Sequence, residues 1–163
     1  MDISENDELA QRIGEALLNR AARVSVVETT AGGLISARLL SVAGASRWYD
    51  RGVIAYTGTS KQDLSGVSVE LLREQGSVSP AAVEAMASGF REKSGADYCV
   101  AESGMAGPQT GRRSAKPAGT SVIAVASPER VVSGEWLFEG SRVEVMRQIA
   151  QAALEMLAGE LGA

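Results

Sequence analysis

Short β-branched runs alternate with helical patterns along the first two thirds of the chain, and this alternation constrains the fold more than any other feature. The apolar run 24–28 is short enough for a buried strand and lies between the helical patterns 8–20 and 33–40. Further strand-like runs occupy residues 51–57 and 97–103. Strands that alternate with helices form largely parallel sheets covered on both faces. The sequence therefore predicts an α/β fold.

The last third of the chain breaks the alternation. Two strand-like runs adjoin there, TSVIAVAS and ERVVSGEWLF, and Ser127 and Pro128 between them favour a hairpin. A polar loop is expected over residues 109–118, and a long amphipathic helix closes the chain. Ser79 followed by Pro80 is a helix-start signature. We therefore expect a three-layer α/β/α sandwich whose mixed sheet is parallel in its first part and antiparallel at one edge.

The length of the chain suits one domain. Its 163 residues can enclose a substantial core, and neither a linker nor an internal repeat is visible, so we expect a single domain over residues 1–163. The chain lacks the roughly 18 consecutive apolar residues that a membrane helix needs, so no membrane association is expected. The acidic, amphipathic N-terminus lacks the basic start and apolar middle of a secretory signal, which predicts a cytoplasmic location.

The charge balance argues against a nucleic-acid partner. The formal net charge is −4 and the isoelectric point is near 5.0, whereas nonspecific nucleic-acid binding needs clustered Lys and Arg. The best basic cluster, GRRSAK at 111–116, is short. We interpret it first as a solvated loop and second as a contact for an anionic small molecule.

The absence of histidine is the strongest chemical restriction. It excludes a Ser-His-Asp triad, a Cys-His pair and every zinc site with imidazole ligands. Cys99 is the sole cysteine, so an all-thiolate zinc site is excluded as well, and its apolar surroundings favour a buried, inert thiol. Acid–base chemistry must then use Lys, Asp, Glu, Tyr or a chain terminus. We predict no metal and no cofactor.

Glycine-bearing turns rich in hydroxyls follow the three predicted parallel strands. They read ETTAGG, TGTSK and SGMAGP, and the carboxyl ends of parallel strands meet at one edge of a sheet. Each glycine alone is explained by relief of strain, but together the turns favour an anion site built from backbone N–H groups. The residues expected to line this crevice are Thr29, Thr30, Lys61, Ser103, Gly32, Gly33, Gly104 and Gly107. Ser46 precedes the second strand and should lie at the opposite edge.

Several segments together resemble a known family. ETTAGG, GASRWYDRGVIAYTGTSK, GSVS, SGMAGP and KPAGT are similar, in order and spacing, to the C-terminal domain of the competence/damage-inducible protein CinA, a family that includes nicotinamide mononucleotide deamidases. The similarity extends from about Leu9 to Leu157. It implies an α/β/α domain, often oligomeric, that hydrolyses the carboxamide of nicotinamide mononucleotide to nicotinate mononucleotide and ammonia without a metal. It also implies a serine/lysine pair, which suits a chain without histidine.

The family motifs can be placed on individual residues. The usual first motif is Glu-Ser-Cys-Thr-Gly-Gly, so Glu28 matches, while Thr29, Thr30 and Ala31 replace Ser, Cys and Thr. The usual Thr-Gly-Ile-Ala-Gly-Pro appears as residues 103–108 and keeps a hydroxyl at Ser103. Substrate contacts are implied for Glu28, Thr30, Gly32, Gly33, Gly104, Ala106, Gly107, Lys116 and Arg142. Other matches are Ser46, Tyr56, Lys61, Pro117, Gly119 and Thr120.

These matches lead to a mechanistic hypothesis. Thr29 Oγ1 attacks the carboxamide carbon, and Lys61, kept neutral by partial burial, accepts the proton and passes one to the departing ammonia. Backbone N–H groups near Gly32 and Gly104 would hold the oxyanion. The additional methyl of Thr29 restricts its rotation, so turnover should be slower than with serine, or absent. Ser46 is a second candidate nucleophile.

The remaining predicted roles are auxiliary. Ser103 and Tyr56 would orient Lys61 or the substrate, and Lys116 and Arg142 would bind the phosphate. Trp48 and Tyr49 are interpreted as core or subunit-contact aromatics.

Two other functions stay open. The chain could be a nucleotide-binding or regulatory domain that kept the pocket without the activity. It could also be a partner module for DNA uptake or recombination proteins, which is suggested only by the family's name and is disfavoured by the acidic isoelectric point.

Overall fold

A mixed five-stranded sheet forms the centre of the computed structural model, which describes residues 7–107 and 115–163. The strands are β1 (Val24–Glu28), β2 (Tyr49–Ile54), β3 (Tyr98–Gly104), β4 (Thr120–Ala126) and β5 (Val131–Leu137). Their order is β2-β1-β3-β4-β5. Strand β1 is parallel to β2 and β3, whereas β3 with β4 and β4 with β5 are antiparallel. This confirms the predicted sheet, including the antiparallel edge.

Helices cover both faces of the sheet. They are α1 (Glu8–Asn19), α2 (Leu34–Leu40), α3 (Gly58–Ser65), α4 (Val69–Gln75), α5 (Pro80–Ser94) and α6 (Arg142–Leu161), with a short 3-10 helix at Ala45–Arg47. Val26 and Val100 point into the core beneath α1, α2 and α6. Val27 and Ala101 point into the core beneath α3, α4 and α5. The three-layer α/β/α arrangement predicted from the sequence is therefore confirmed.

The local start and turn signals hold as well. Ser79 Oγ accepts a hydrogen bond from Ala82 N at 3.3 Å, with Pro80 as the first residue of α5. Ser127 N donates to Arg130 O at 2.8 Å and closes the turn between β4 and β5. The predicted helix start and the predicted hairpin are both confirmed.

Two predictions around β2 need correction. The strand was expected over 51–57 but runs from Tyr49 to Ile54. It ends early because Thr57 is the N-cap of α3, and its hydroxyl accepts from Ser60 N at 3.1 Å. Helix α4 was not predicted at all, since its seven residues bury no side chain and show too little periodicity.

Most of the polar loop predicted over 109–118, with the arginines of the basic cluster 111–116, lies outside the described residues, as does Pro108. None of the helices in the described ranges combines the length and the apolar character needed to cross a bilayer.

Candidate active site

The carboxyl ends of β1, β2 and β3 border a cavity of about 640 Å³. Its size lies within the usual range for small-molecule sites. The predicted site residues that line it are Thr29, Thr30, Tyr56, Lys61, Gly104 and Lys116. Side chains from three separate turns therefore converge at this edge of the sheet, as the parallel topology requires.

One side of the cavity was missed from the sequence. The lining is completed by Gln75 at the end of α4, by residues 76–78 in the connection to α5, and by Met105 and Ala115. The GSVS segment was recognised only as part of a family resemblance, and α4, which brings it to the cavity, was not predicted. Because α4 was not predicted, the sequence did not show where in the fold the GSVS segment lies.

Lys61 is the buried cation of the site. It lies in α3, is 6 % exposed, and donates from Nζ to Ser103 Oγ at 3.3 Å. Burial lowers the pKa of Lys61, and the negative charge of Glu102 partly counteracts this. A lysine with a lowered pKa is more readily neutral, and a neutral amine can accept a proton.

The two threonine hydroxyls are connected to the end of β3. Thr30 Oγ1 accepts from Gly104 N at 2.7 Å and donates to Gly104 O at 3.0 Å. Thr29 Oγ1 lies 3.2 Å from Thr30 Oγ1. Because the single hydrogen of Thr30 is used on Gly104 O, Thr29 is the donor in that contact. No hydrogen bond joins Thr29 directly to Lys61, although the two are in the described part of the chain and line the same cavity.

A buried carboxylate lies beneath the first turn. Glu102 is 0 % exposed, and its Oε1 accepts from the backbone N–H groups of Thr29, Thr30 and Ala31 at 2.6, 2.6 and 2.8 Å. Among the described residues, Oε2 has no hydrogen-bond partner. Burial raises the pKa of Glu102 to about 7, outweighing the three N–H bonds, which lower it.

Glu28 caps the helix that follows this turn. Its carboxylate accepts from the N–H groups of Gly33, Ile35 and Ser36 at 2.8, 3.1 and 2.8 Å. Gly33 has a φ of 101° and therefore a left-handed backbone that favours glycine. Glu28 is 0 % exposed, so its carboxylate stabilises the start of α2 from inside the protein. Its predicted contact with a substrate remains a prediction.

The predicted anion site is therefore already filled in part. The N–H groups of residues 29–31 donate to Glu102, that of Gly33 to Glu28, and that of Gly104 to Thr30. The expectation that this whole turn presents its N–H groups to a ligand is not met, because two carboxylates and a hydroxyl of the chain itself occupy them. No described residue accepts from Gly32 N, and Gly32 is exposed.

The other predicted residues lie farther from the cavity. Ser46 is exposed in the 3-10 helix before β2, at the opposite edge of the sheet, as expected from the sequence. Ala106 is 2 % exposed and packs in the core beneath α6. Arg142, exposed at the start of α6, lies against Gly107, where an added Cβ would come within 3.2 Å of its side chain.

Sequence reasoning did not single out Glu102. Its signal was an acid inside the otherwise apolar strand pattern YCVAES, where a charged side chain has to find partners. Trp48 and Cys99, by contrast, are buried as predicted, at 1 % and 0 % exposure. Within the described residues, the acidic side chains and the thiol form no cluster suited to a metal ion.

Comparison with known proteins identifies relatives over almost the whole chain. The family model described as the CinA C-terminal domain matches residues 6–161. CinA-like proteins of Desulfotalea psychrophila and Shewanella loihica are 37 % and 42 % identical, each over 94 % of this chain. A putative competence-damage inducible protein of Caldicellulosiruptor saccharolyticus is 38 % identical. The chain spans 36 to 37 % of the length of these relatives.

Solved structures agree with these sequence matches. The competence/damage inducible protein CihA from Agrobacterium tumefaciens superposes with a TM-score of 0.91 at 34 % identity, covering 100 % of this chain and 99 % of its own. A CinA superfamily protein from Klebsiella pneumoniae has a TM-score of 0.90 at 32 % identity, with coverage of 95 % and 96 %. The chain therefore belongs to the CinA C-terminal domain family.

Proposed function

We propose that the chain is an amidohydrolase that converts nicotinamide mononucleotide to nicotinate mononucleotide and ammonia. One observation carries the proposal: a buried lysine amine, Lys61 Nζ, contacts the Ser103 hydroxyl at 3.3 Å beside a cavity that is also lined by Thr29 and Thr30. An amine with a lowered pKa next to hydroxyls is the arrangement that activates a nucleophile when histidine is absent. The substrate is the one that the sequence resemblance implies.

Thr29 is the proposed nucleophile because it lines the cavity, whereas Ser103 is absent from the cavity lining. In the resting state the Thr29 hydroxyl donates to Thr30. In the proposed reaction Lys61 turns from Ser103 to Thr29 and accepts that proton, while Ser103 positions the amine beforehand. Thr29 Oγ1 then forms a bond to the carboxamide carbon, and the carbonyl oxygen becomes an oxyanion.

The remaining steps balance without a metal or a cofactor. The N–H of Gly32, which has no acceptor among the described residues, donates to the oxyanion in this proposal. Lys61 returns its proton to the nitrogen, the C–N bond breaks, and ammonia leaves behind an ester of Thr29. A water molecule, deprotonated by Lys61, attacks the ester, which releases nicotinate mononucleotide and restores the threonine hydroxyl.

Lys116 is the proposed phosphate contact. It lines the cavity and forms an ion pair with Glu135 at 3.2 Å. Exposed pairs of this kind contribute about 1 kcal/mol or less, so a phosphate dianion can displace the carboxylate. Arg142, beside Gly107, is a second proposed phosphate contact.

The test measures ammonia and nicotinate mononucleotide released from nicotinamide mononucleotide by the purified protein. We expect equal amounts of both, a loss of at least about 100-fold in Lys61→Met and Thr29→Val, and a gain in Thr29→Ser. Lys93→Met is the matched control, because Lys93 is exposed and is absent from the cavity lining, and it should keep full activity.

Two results would contradict the proposal. Full activity of Thr29→Val together with an inactive Ser103→Ala or Ser46→Ala would move the nucleophile to that serine. A folded parent protein that releases no ammonia at saturating substrate would remove the enzymatic function itself.

A second candidate function, nucleotide binding without turnover, is favoured by the resting position of Thr29. Its hydroxyl is engaged with Thr30, which is in turn bonded twice to Gly104. Saturable binding of nicotinamide mononucleotide in calorimetry, with no ammonia released from either the parent or Thr29→Ser, would support this function.

A further inference from the structure

The turn that carries Thr29 and Thr30 is held from below by a single carboxylate oxygen. Glu102 Oε1 accepts three consecutive backbone N–H groups, those of residues 29–31, at 2.6, 2.6 and 2.8 Å. Hydrogen bonds from N–H groups to a carboxylate are stronger than those between neutral groups. Three such bonds to one buried atom fix the backbone at each residue of the turn.

The register of β3 separates this carboxylate from the reacting groups. Successive residues of a strand point to opposite faces, so Ser103 points towards Lys61 in α3 while Glu102 points to the other face, beneath the start of α2. Glu102 is 0 % exposed and is absent from the cavity lining. Any effect on the reaction must therefore pass through the turn or through its electric field.

We infer that Glu102 is a positioning residue of the proposed reaction: its carboxylate holds the 29–31 turn, and through it the Thr29 hydroxyl, in the place from which that hydroxyl attacks. That Glu102 fixes the turn rests on the three hydrogen bonds. That this affects catalysis rests on the proposed function. It also explains why the N–H groups of this turn do not serve as a ligand site, since the protein supplies their acceptor itself.

The charge of Glu102 has a second effect, on Lys61. Glu28, at the end of β1, disfavours ionisation of Glu102, and Glu102 in turn acts on Lys61. The negative charge of Glu102 raises the pKa of Lys61 against the larger lowering by burial. From the opposite face of the sheet, Glu102 thus keeps the pKa of Lys61 higher than burial alone would leave it.

The first test compares Glu102→Leu with Glu102→Gln. Leucine is similar in size and removes the acceptor, whereas glutamine keeps one carbonyl oxygen for the turn. We expect hydrogen exchange at the amides of residues 29–31 to speed up by roughly 10- to 100-fold in the leucine variant, with protection elsewhere in the sheet unchanged. The glutamine variant should retain most of the protection. In the leucine variant kcat should fall by about 100-fold while KM stays near that of the parent.

The second test does not need turnover. The chain has only three lysines, Lys61, Lys93 and Lys116, so carbon-13 NMR of labelled lysine side chains can follow each titration. We expect a lower pKa for Lys61 in Glu102→Gln than in the parent, and no change in Glu84→Gln, whose carboxylate instead accepts from Ser133.

The outcomes separate this inference from the proposed function. Unchanged exchange at 29–31 in the leucine variant, or a uniform loss of protection over the whole sheet, would overturn it. An unchanged Lys61 pKa in the glutamine variant would contradict the effect of the Glu102 charge on the lysine. A protein that releases no ammonia but shows the local exchange and the lowered Lys61 pKa would contradict the enzymatic function and leave the positioning role intact.

Discussion

Replacing Glu102 by glutamine should change how the stability of the protein depends on pH. The folded protein holds the proton of Glu102 up to about pH 7, whereas the unfolded chain releases it near the ordinary value of 4.5. Between these values the unfolded state binds fewer protons than the folded state. The free energy of unfolding of the parent must therefore fall as pH rises through this window. The glutamine variant lacks this titration.

The size of the effect follows from the same two values. A tenfold change in proton affinity corresponds to about 1.4 kcal/mol, so the full effect is about 3 kcal/mol. Measurements below pH 5.5 approach the isoelectric point near 5.0, where the protein is least soluble. The quantity compared is the unfolding free energy of the variant minus that of the parent. It should increase by about 2 kcal/mol between pH 5.5 and pH 8, because the parent loses stability over this range.

The assay is urea unfolding of both proteins at a series of pH values, since subtraction removes the titrations that the two proteins share. Equal m-values would show that the denatured states are comparable. A difference that stays constant between pH 5.5 and pH 8 would refute the reasoning, because it would mean that the buried carboxyl has the same pKa in the folded and unfolded chains.

Three further predictions concern packing and binding. Gly89→Ala should destabilise the protein by about 1–3 kcal/mol in urea unfolding, since its Cβ would lie 2.3 Å from Ser65 O; Gly159→Ala, with open space around it, is the control and should stabilise by about 0.5–1 kcal/mol. Cys99, which is 0 % exposed and whose pKa burial raises to about 12, should resist a thiol reagent at pH 8 in the folded protein and react once it is unfolded. Lys116→Ala should raise KM for nicotinamide mononucleotide about tenfold or more with kcat nearly unchanged, and an equal loss of kcat would contradict its role as a phosphate contact.

The sequence was most informative where one local signal determines the structure. The strand β1 and the Ser79-Pro80 helix start were predicted because each is encoded by a few adjacent residues. The convergence of the turns carrying Thr29 and Lys61 was also predictable, since parallel strands bring their carboxyl ends together.

Interactions between distant residues were harder to predict. Glu102 and the turn at 29–31 are more than 70 positions apart, and the carboxylate consumes N–H groups that the sequence assigned to a ligand. Lys61 pairs with Ser103 instead of Thr29 because Ser103 lies on the face of β3 that points towards α3. Tertiary packing determines these side-chain contacts, and they cannot be predicted from hydrophobic periodicity or from a short motif.

The most direct test of the central claim is to trap the covalent intermediate. Acid quenching of the protein during a single turnover of nicotinamide mononucleotide, followed by peptide mass spectrometry, should reveal a nicotinate mononucleotide ester on the peptide containing Thr29 and none in Lys61→Met. An ester on Ser103 or Ser46, or product formation with no ester at any time point, would contradict the account.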